Sequence, residues 1–148
     1  MNITLKDVNE ENFIECIDLE VNEKQKAYVA PNVFSIAESK IYPEVTIKTI
    51  YNDTTLIGFL MFGRNNEKDD TYPWLIRFMI DQRYQGKGYG KKALALTLKL
   101  MEETYPNEPM FLSTSPENID AIRFYEKFGF MSTGRIQYDE LVFKKDTN

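Results

Sequence analysis

Histidine is absent from this chain of 148 residues, and cysteine occurs only once, as Cys16. The lack of histidine excludes imidazole-based acid–base catalysis and most zinc-site patterns. A single cysteine excludes an internal disulfide and fits a reducing compartment, so a cytoplasmic location is expected. Cys16 lies in an amphipathic segment, where a small buried side chain is expected rather than a nucleophile.

The chain also lacks a long apolar run and an excess of positive charge. Because no apolar stretch approaches about eighteen residues, no transmembrane helix is expected, and the N-terminal residues do not resemble a signal peptide. The net charge of −5 and the isoelectric point near 4.9 argue against nucleic acid and anionic membranes as partners. The same acidic balance favours a cationic small molecule.

What is present indicates one small globular domain over residues 1–148. The apolar fraction of 43% and the aromatic fraction of 14% are enough for a real core. Hydrophobic periodicity predicts a mixed α/β domain with the element order βααβββαβαββ. The predicted strands are Ile3–Lys6, Val45–Tyr51, Thr55–Phe62, Trp74–Asp81, Met110–Thr114, Phe130–Gly134 and Glu140–Lys144. The predicted helices are Glu10–Leu19, Asn32–Ile41, Gly90–Thr104 and one opened by Ser115, with a hairpin turn at Asn52-Asp53 and a polar loop at Asn65–Asp70.

A glycine-rich stretch between a predicted strand and a predicted helix is the most informative part of the chain. Closely spaced glycines let backbone N–H groups converge, and a helix N-terminus adds the positive end of its dipole. This combination is typical of an anion site, most often for phosphate. The residues concerned are Gln85, Gly86, Lys87, Gly88, Tyr89, Gly90 and Lys91.

Two common phosphate loops do not match this stretch. A Walker loop needs Ser or Thr after its Gly-Lys pair, and a dinucleotide fingerprint needs a third glycine where this chain has Lys91. The remaining pattern is Gln-x-x-Gly-x-Gly, formed by Gln85, Gly88 and Gly90. The alternative is a glycine-rich turn that only joins strand to helix.

A second motif follows in the segment that Ser115-Pro116-Glu117-Asn118 opens. Ser115 suits an N-cap, Pro116 suits the first helical position, and Gly129 suits the helix end. Asn118 and Tyr125 are spaced by about two helical turns, so they share a face at a separation of roughly 10 Å. The alternative for Tyr125 is ordinary core packing.

Together the two motifs resemble the GNAT superfamily of N-acetyltransferases. The Gln85–Gly90 loop is similar to its acyl-CoA pyrophosphate loop, and Asn-x-x-Ala-x-x-Phe-Tyr from Asn118 to Tyr125 is similar to its second cofactor motif. The element order is also the GNAT order. The resemblance implies an α/β fold whose mixed, mostly antiparallel sheet has a splayed central strand pair and flanking helices.

The resemblance also implies roles for individual residues. Acetyl-CoA is expected as the cofactor, with its pantetheine arm along Phe78, Met79 and Ile80 and its pyrophosphate on the amides of Gly86 to Lys91. Asn118 and Ala121 match cofactor-binding positions, the amide of Met79 matches the oxyanion donor, and Tyr125 matches the acid that protonates the departing thiolate. No metal is implied.

The base that deprotonates the acceptor amine is left open. Asp81 ends the strand nearest the cofactor, and Glu38 lies on the helix that lines the acceptor side in this family. Glu20, Glu44 and Glu140 are weaker candidates. A water chain without a dedicated base is the alternative.

The segment from Gln25 to Ser39 and the strand from Trp74 to Asp81 resemble a subgroup of spermine/spermidine (diamine) acetyltransferases. Such a site needs spaced carboxylates and aromatic faces. Its candidate residues are Tyr28, Glu38, Tyr42, Trp74 and Asp81. Arg77 departs from the pattern, because an arginine beside a polycation repels it unless it is paired with an acid.

Three functions therefore remain open on the sequence. One is acetylation of polyamines, and another is acetylation of a different amine, such as an amino acid, an aminoglycoside or a peptide or protein amine. The third is acyl-CoA binding without catalysis, against which the positioned phenol of Tyr125 argues. A homodimer is expected by analogy, because family members often pair and the C-terminal strands offer an edge.

Overall fold

The computed structural model describes residues 1–64 and 71–147. Within these residues a seven-stranded sheet carries helices on both faces, and the predicted element order is confirmed. The strands are β1 Ile3–Lys6, β2 Thr46–Asn52, β3 Thr55–Arg64, β4 Pro73–Ile80, β5 Met110–Thr114, β6 Met131–Gln137 and β7 Glu140–Lys145. The helices are α1 Phe13–Asp18, α2 Asn32–Ile41, α3 Tyr89–Thr104 and α4 Ile119–Glu126.

Several predicted boundaries are wrong by a few residues; α1, for example, begins at Phe13 rather than Glu10, and β6 ends at Gln137 rather than Gly134. The β2–β3 turn consists of Asp53 and Thr54 rather than Asn52 and Asp53, because Asn52 still pairs with Thr55 in the ladder. Asp53 has φ 53°, a left-handed conformation that aspartate tolerates well. The predicted polar loop at Asn65–Asp70 lies outside the described residues.

Helix α4 begins at Ile119, later than the predicted start at Ser115. The Oγ of Ser115 accepts a hydrogen bond from the Glu117 amide at 3.3 Å, and the Asn118 amide donates to the Ser115 carbonyl at 3.0 Å. These bonds form a turn that precedes the helix, so Asn118 and not Ser115 occupies the N-cap position. Helix α4 ends at Glu126 rather than next to Gly129, and Gly129, with φ 94°, lies in the turn that follows the helix.

The sheet opens between its two central strands. Its strand order is β1-β2-β3-β4-β5-β7-β6, and every neighbouring pair is antiparallel except β4 and β5. These two run parallel and pair only at Trp74 and Phe111, so their C-terminal halves diverge. A bulge in β4 leaves Ile76 without a partner on β3, because the neighbouring residues Arg77 and Leu75 pair with the consecutive residues Met61 and Phe62. Bulges bend strands. The expected splayed pair is therefore confirmed.

The alternation of side chains along the strands divides the core between the two sheet faces. One cluster lies under α3 and α4 and contains Leu94, Leu112 and Phe130. The other lies under α1 and α2 and contains Cys16 and Phe59. Because successive strand residues point to opposite faces, the central strands β2, β3 and β4 contribute to both clusters. Cys16 is fully buried, as expected, and burial raises the pKa of its thiol to about 12.

No helix in the described part of the chain has both the length and the apolar character that crossing a bilayer requires. Over residues 1–64 and 71–147, no group of three or more histidine, cysteine, aspartate or glutamate side chains is arranged to hold a metal ion.

Candidate active site

A cavity of about 840 Å³ occupies the space between the divergent halves of β4 and β5. Its wall combines both strands with α4, the glycine-rich loop and the segment that joins α1 to α2. Ten residues singled out from the sequence lie on this wall. They are Tyr28, Phe78, Met79, Ile80, Gln85, Gly86, Gly90, Asn118, Ala121 and Tyr125.

The glycine-rich loop has the backbone of an anion site. Gly86 and Gly88 have φ values of 76° and 84°, in the left-handed region that favours glycine. Helix α3 begins at Tyr89, and its first intrahelical bond runs from the Lys92 amide to the Gly88 carbonyl at 3.4 Å. The amides of residues 89–91 are thus the first-turn donors that a helix leaves without an internal partner. An anionic group would meet these amides and the dipole of α3.

Gln85 joins this loop to two other parts of the site. Its Nε2 donates to the Ile80 carbonyl at 2.8 Å and to Oε1 of Gln25 at 2.9 Å, and its Oε1 accepts from Asn22 at 3.3 Å. The side chain therefore holds the loop against the end of β4 and against the α1–α2 segment. The sequence predicted a cofactor contact for Gln85 but not these bonds.

Tyr125 lies on the cavity wall in an aromatic environment. Its half-buried ring packs edge-on against Phe124 and Phe130, with centroid separations of 5.4 and 6.0 Å. Burial raises the pKa of the Tyr125 phenol above its ordinary value, so the hydroxyl stays protonated at neutral pH. Tyr125 lines the cavity together with Asn118, whose Nδ2 donates to Oγ1 of Thr114 at 3.4 Å.

The ladder between β3 and β4 decides which β4 amides face the cavity. The Asp81 amide donates to the Ile57 carbonyl at 2.8 Å. In an antiparallel ladder the bonded pairs recur at every second residue, so Met79 bonds to Phe59 and points its amide at β3. The amides of Phe78 and Ile80 point toward the splay instead. The expectation that the Met79 amide meets the oxyanion is therefore wrong.

Asp81, expected as a base or substrate ligand, has a structural environment. Its carboxylate accepts bonds from the Glu20 amide, the Arg83 amide and Nε of Arg83 at 2.8–2.9 Å. Burial raises the pKa of Asp81, but the Arg83 guanidinium and the two amides outweigh burial and lower the pKa overall. Asp81 is buried and does not line the cavity. Its carboxylate instead holds the segment that follows β4 through the bonds to Arg83.

Arg77 and Glu38 are paired. Nη2 of Arg77 lies 3.3 Å from Oε1 of Glu38, and Nη1 donates to the Ile76 carbonyl at 3.0 Å. Arg77 lines the cavity and Glu38 does not. The guanidinium that departed from the polyamine pattern is thus neutralised by an acid on α2.

The other expected acceptor residues lie away from the cavity. Trp74 stacks on Phe111 with ring centroids 5.5 Å apart, at the single position where β4 pairs with β5. Tyr42 is exposed after the end of α2. Of the weaker base candidates, Glu44 is exposed and Glu20 lies 3.8 Å from Lys26, whereas Glu140 lines the cavity.

Several wall residues were not singled out from the sequence. Asn22 and Lys24 come from the irregular α1–α2 segment, and Ser113 comes from β5. Ser113 had a usable signal, since it alternates with the buried residues Leu112 and Thr114 in β5. The α1–α2 residues had none, because a tertiary contact with residues sixty positions away leaves no local pattern.

Comparisons with known proteins agree on one family. The model of the acetyltransferase (GNAT) family matches residues 8–130. A spermine/spermidine N(1)-acetyltransferase of Bacillus subtilis strain 168 is 34% identical over 143 residues, which is 94% of each chain. A probable spermine N(1)-acetyltransferase of Bacillus subtilis subsp. natto is similar to the same extent.

Solved structures share the fold over nearly the whole chain. The PaiA N-acetyltransferase of Thermoplasma acidophilum, solved with coenzyme A, has a TM-score of 0.72 at 19% identity, covering 99% of this chain and all of that one. The spermidine N-acetyltransferase of Vibrio cholerae, solved with CoA and spermine, has a TM-score of 0.71 at 18% identity, covering 96% and 92%. At these identities the likeness concerns the fold.

Proposed function

This chain belongs to the acetyltransferase (GNAT) family, and from that premise we propose that it transfers the acetyl group of acetyl-CoA to a primary amine of a polyamine such as spermidine or spermine. The observation that carries the acceptor class is the 34% identity to a spermine/spermidine N(1)-acetyltransferase over 94% of both chains. The acidic balance of the chain supports the same class, because it favours a polycation.

The residues of the cavity fit an acyl-CoA. The amides of Phe78 and Ile80 face the splay, where a ligand that lies along β4 would bond to them as a neighbouring strand does. The amides of residues 89–91, with Gly86 and Gly88, would hold a pyrophosphate, and Lys87 and Lys91 would add positive charge. Asn118 and Ala121 would line the cofactor arm. Acetyl-CoA supplies the activated acetyl thioester.

The protein would contribute to this reaction in two ways: it would position the amine next to the thioester, and it would transfer a proton. The cavity would hold the amine close to the thioester carbonyl, which raises the effective concentration of the reactants. The amides of Phe78 and Ile80 are the donors on β4 that would stabilise charge on the carbonyl oxygen. The protonated phenol of Tyr125 would supply the proton for thiol release.

Thiol release measured with a panel of amines tests this proposal. The panel contains spermidine, spermine, butylamine, an amino acid and a lysine-containing peptide, and the readout is kcat/KM. A polyamine should exceed the monoamine, because one amine reacts while another pairs with a carboxylate. High salt should reduce this advantage, since it screens partly exposed charge pairs. A higher kcat/KM for the peptide or amino acid would contradict the polyamine assignment and leave the acetyltransferase chemistry.

The proposed setting is a cytoplasmic homodimer. A lone, fully buried cysteine suits a reducing compartment. Strand β6 lies at the edge of the sheet with an exposed surface that includes Met131 and Ile136, and such an edge is able to pair with a second copy. Light scattering on the purified protein distinguishes a dimer from a monomer.

A further inference from the structure

The two faces of the sheet divide the cavity into two halves. Phe78 and Ile80 belong with the cluster under α3 and α4, as does Tyr125. On β5, Phe111 packs with Trp74 and Val142 in a small third cluster, which shares Ile76 with the cluster under α1 and α2 and so lies on the opposite face. Ser113 shares the face of Phe111 by strand alternation. On β7, Val142 lies on that same face, and Glu140 is two residues away. Ser113 and Glu140 therefore lie on the α1–α2 half of the cavity.

Glu140 and Ser113 are directly bonded across the β5–β7 ladder. The hydroxyl of Ser113 donates to Oε1 of Glu140 at 2.7 Å, and both residues line the cavity. A hydroxyl is a neutral donor, so this bond orients the carboxylate without cancelling its charge. The second carboxylate oxygen of Glu140 has no hydrogen-bond donor among residues 1–64 and 71–147.

Glu140 differs from three of the other acids first considered for this site, because each of those three has a positively charged side chain beside it. Asp81 has Arg83 at 2.8 Å, Glu38 has Arg77 at 3.3 Å, and Glu20 has Lys26 at 3.8 Å. Within the described parts of the chain, the half-buried Glu140 carboxylate has no lysine or arginine within 4.0 Å. A partly desolvated carboxylate without a counter-charge gains free energy from a cation that enters the cavity.

We propose that Glu140, oriented by Ser113, binds the ammonium group of the acceptor that does not react. The reacting nitrogen must lose its proton before it attacks the thioester, whereas a carboxylate anchor benefits from a nitrogen that stays charged. Glu140 lies on the cavity half opposite to Tyr125, and this arrangement leaves the Tyr125 half to the cofactor. The proposal rests on the proposed polyamine acetylation and names the residue that selects acceptors with a second positive charge.

The substitution Glu140→Gln tests the proposal, because glutamine keeps the size of the side chain and removes its charge. The KM for spermidine should rise about tenfold, a loss typical of a bond to a charged group, while kcat stays within about twofold. The KM for butylamine should not change, since butylamine has no second ammonium. Equal losses for butylamine and spermidine, or no loss for either, would overturn the proposal.

Two control variants and a binding measurement separate this inference from the function on which it rests. Glu103→Gln removes an exposed carboxylate of α3 that does not line the cavity, and it should leave the spermidine KM unchanged. Ser113→Ala removes the orienting donor and should raise that KM about threefold. Calorimetry of spermidine binding to the CoA-saturated protein needs no turnover, and Glu140→Gln should weaken that binding about tenfold. If the wild-type protein neither binds nor acetylates spermidine, the proposed function is wrong. If the wild-type protein acetylates spermidine and Glu140→Gln has the same spermidine KM and affinity, only the inference about Glu140 is wrong.

Discussion

Nη2 of Arg77 lies 3.3 Å from Oε1 of Glu38, which joins the bulged part of β4 to helix α2 beside the cavity. Both side chains are about one quarter exposed. The pair explains how an arginine is compatible with a polycationic acceptor. Arg77 lines the cavity and Glu38 does not, so we expect any effect of Glu38 on a bound acceptor to pass through Arg77.

We expect Glu38→Gln to raise the KM for spermidine about two- to fivefold, with a smaller change in kcat, since a part-exposed ion pair contributes up to about 1 kcal/mol. The substitution leaves the Arg77 guanidinium unpaired next to an incoming cation. Steady-state kinetics at low and high salt measures the change.

A double variant decides whether this effect passes through Arg77. When Arg77→Gln is added to Glu38→Gln, the KM should return toward the wild-type value because the unpaired cation is gone. A double variant as weak as the single one would mean that Glu38 contacts the polyamine directly.

We expect Gly88→Val to weaken CoA binding at least tenfold, which is about 1.4 kcal/mol. Gly88 has φ 84°, which valine strongly disfavours, and the loop must shift before α3 can present its first-turn amides. Steric contact with the rest of the protein is not the cause, since an added Cβ at Gly88 meets only Cε of Met1, at 3.9 Å.

Gly134→Val is the matched control for the loop. Gly134 has φ 77°, has no atom within 4 Å of an added Cβ, and lies on the edge strand β6. The control should lose stability and keep its affinity for CoA. Unchanged CoA binding in Gly88→Val by calorimetry would remove the phosphate assignment from this loop.

We expect Tyr125→Phe to reduce turnover by roughly a hundredfold, the lower end for a lost acid–base group, with CoA affinity nearly intact. The ring packing against Phe124 and Phe130 is preserved, so only the hydroxyl is lost. Tyr105→Phe is a suitable control, because burial also raises the pKa of Tyr105 and this residue is not on the cavity wall. Wild-type turnover in Tyr125→Phe would show that water protonates the leaving thiolate.

We expect Asp81→Asn to destabilise the protein by about 1–3 kcal/mol at neutral pH, because it removes a buried acceptor of charge-assisted bonds. The pKa of Asp81 is lower in the folded than in the unfolded protein, so its stabilisation is full above the ordinary value of 3.8. That stabilisation is lost as the pH falls below 3.8 through the folded-state pKa. Urea unfolding at pH 7 and pH 3 should therefore show a smaller difference between variant and wild type at pH 3, and an equal difference would contradict this account.

Much of the fold followed from local patterns. Strands β1 and β5 and helix α2 lie at their predicted residues, because each has a clear period bounded by turn residues or proline. The start of α4 was wrong because Ser115 has the chemistry of an N-cap but uses it in a preceding turn. Side chains of this type serve either structure, and local sequence does not distinguish them.

The site was predicted in part. The loop from Gln85 to Gly90 and the pair of Asn118 and Tyr125 were recognised because glycine spacing and helical period are local properties. The acceptor residues were harder, since an acid looks the same in sequence whether it faces a cavity or an arginine. Asp81 was predicted as a site residue because it follows β4, but its carboxylate accepts a hydrogen bond from the Arg83 side chain two residues later.

The sequence by itself determined the order of the elements, the glycine-rich turn that leads into α3, and the spacing of Asn118 and Tyr125 at either end of α4, because these depend on residues within one or two turns of each other. Only the tertiary structure decided which carboxylates are available to an acceptor. Arg77 neutralises Glu38 from 39 positions away, and Ser113 orients Glu140 from 27 positions away. The energetic state of a charge depends on the partners that folding brings within a few ångströms, and that distance is not a local property of the chain.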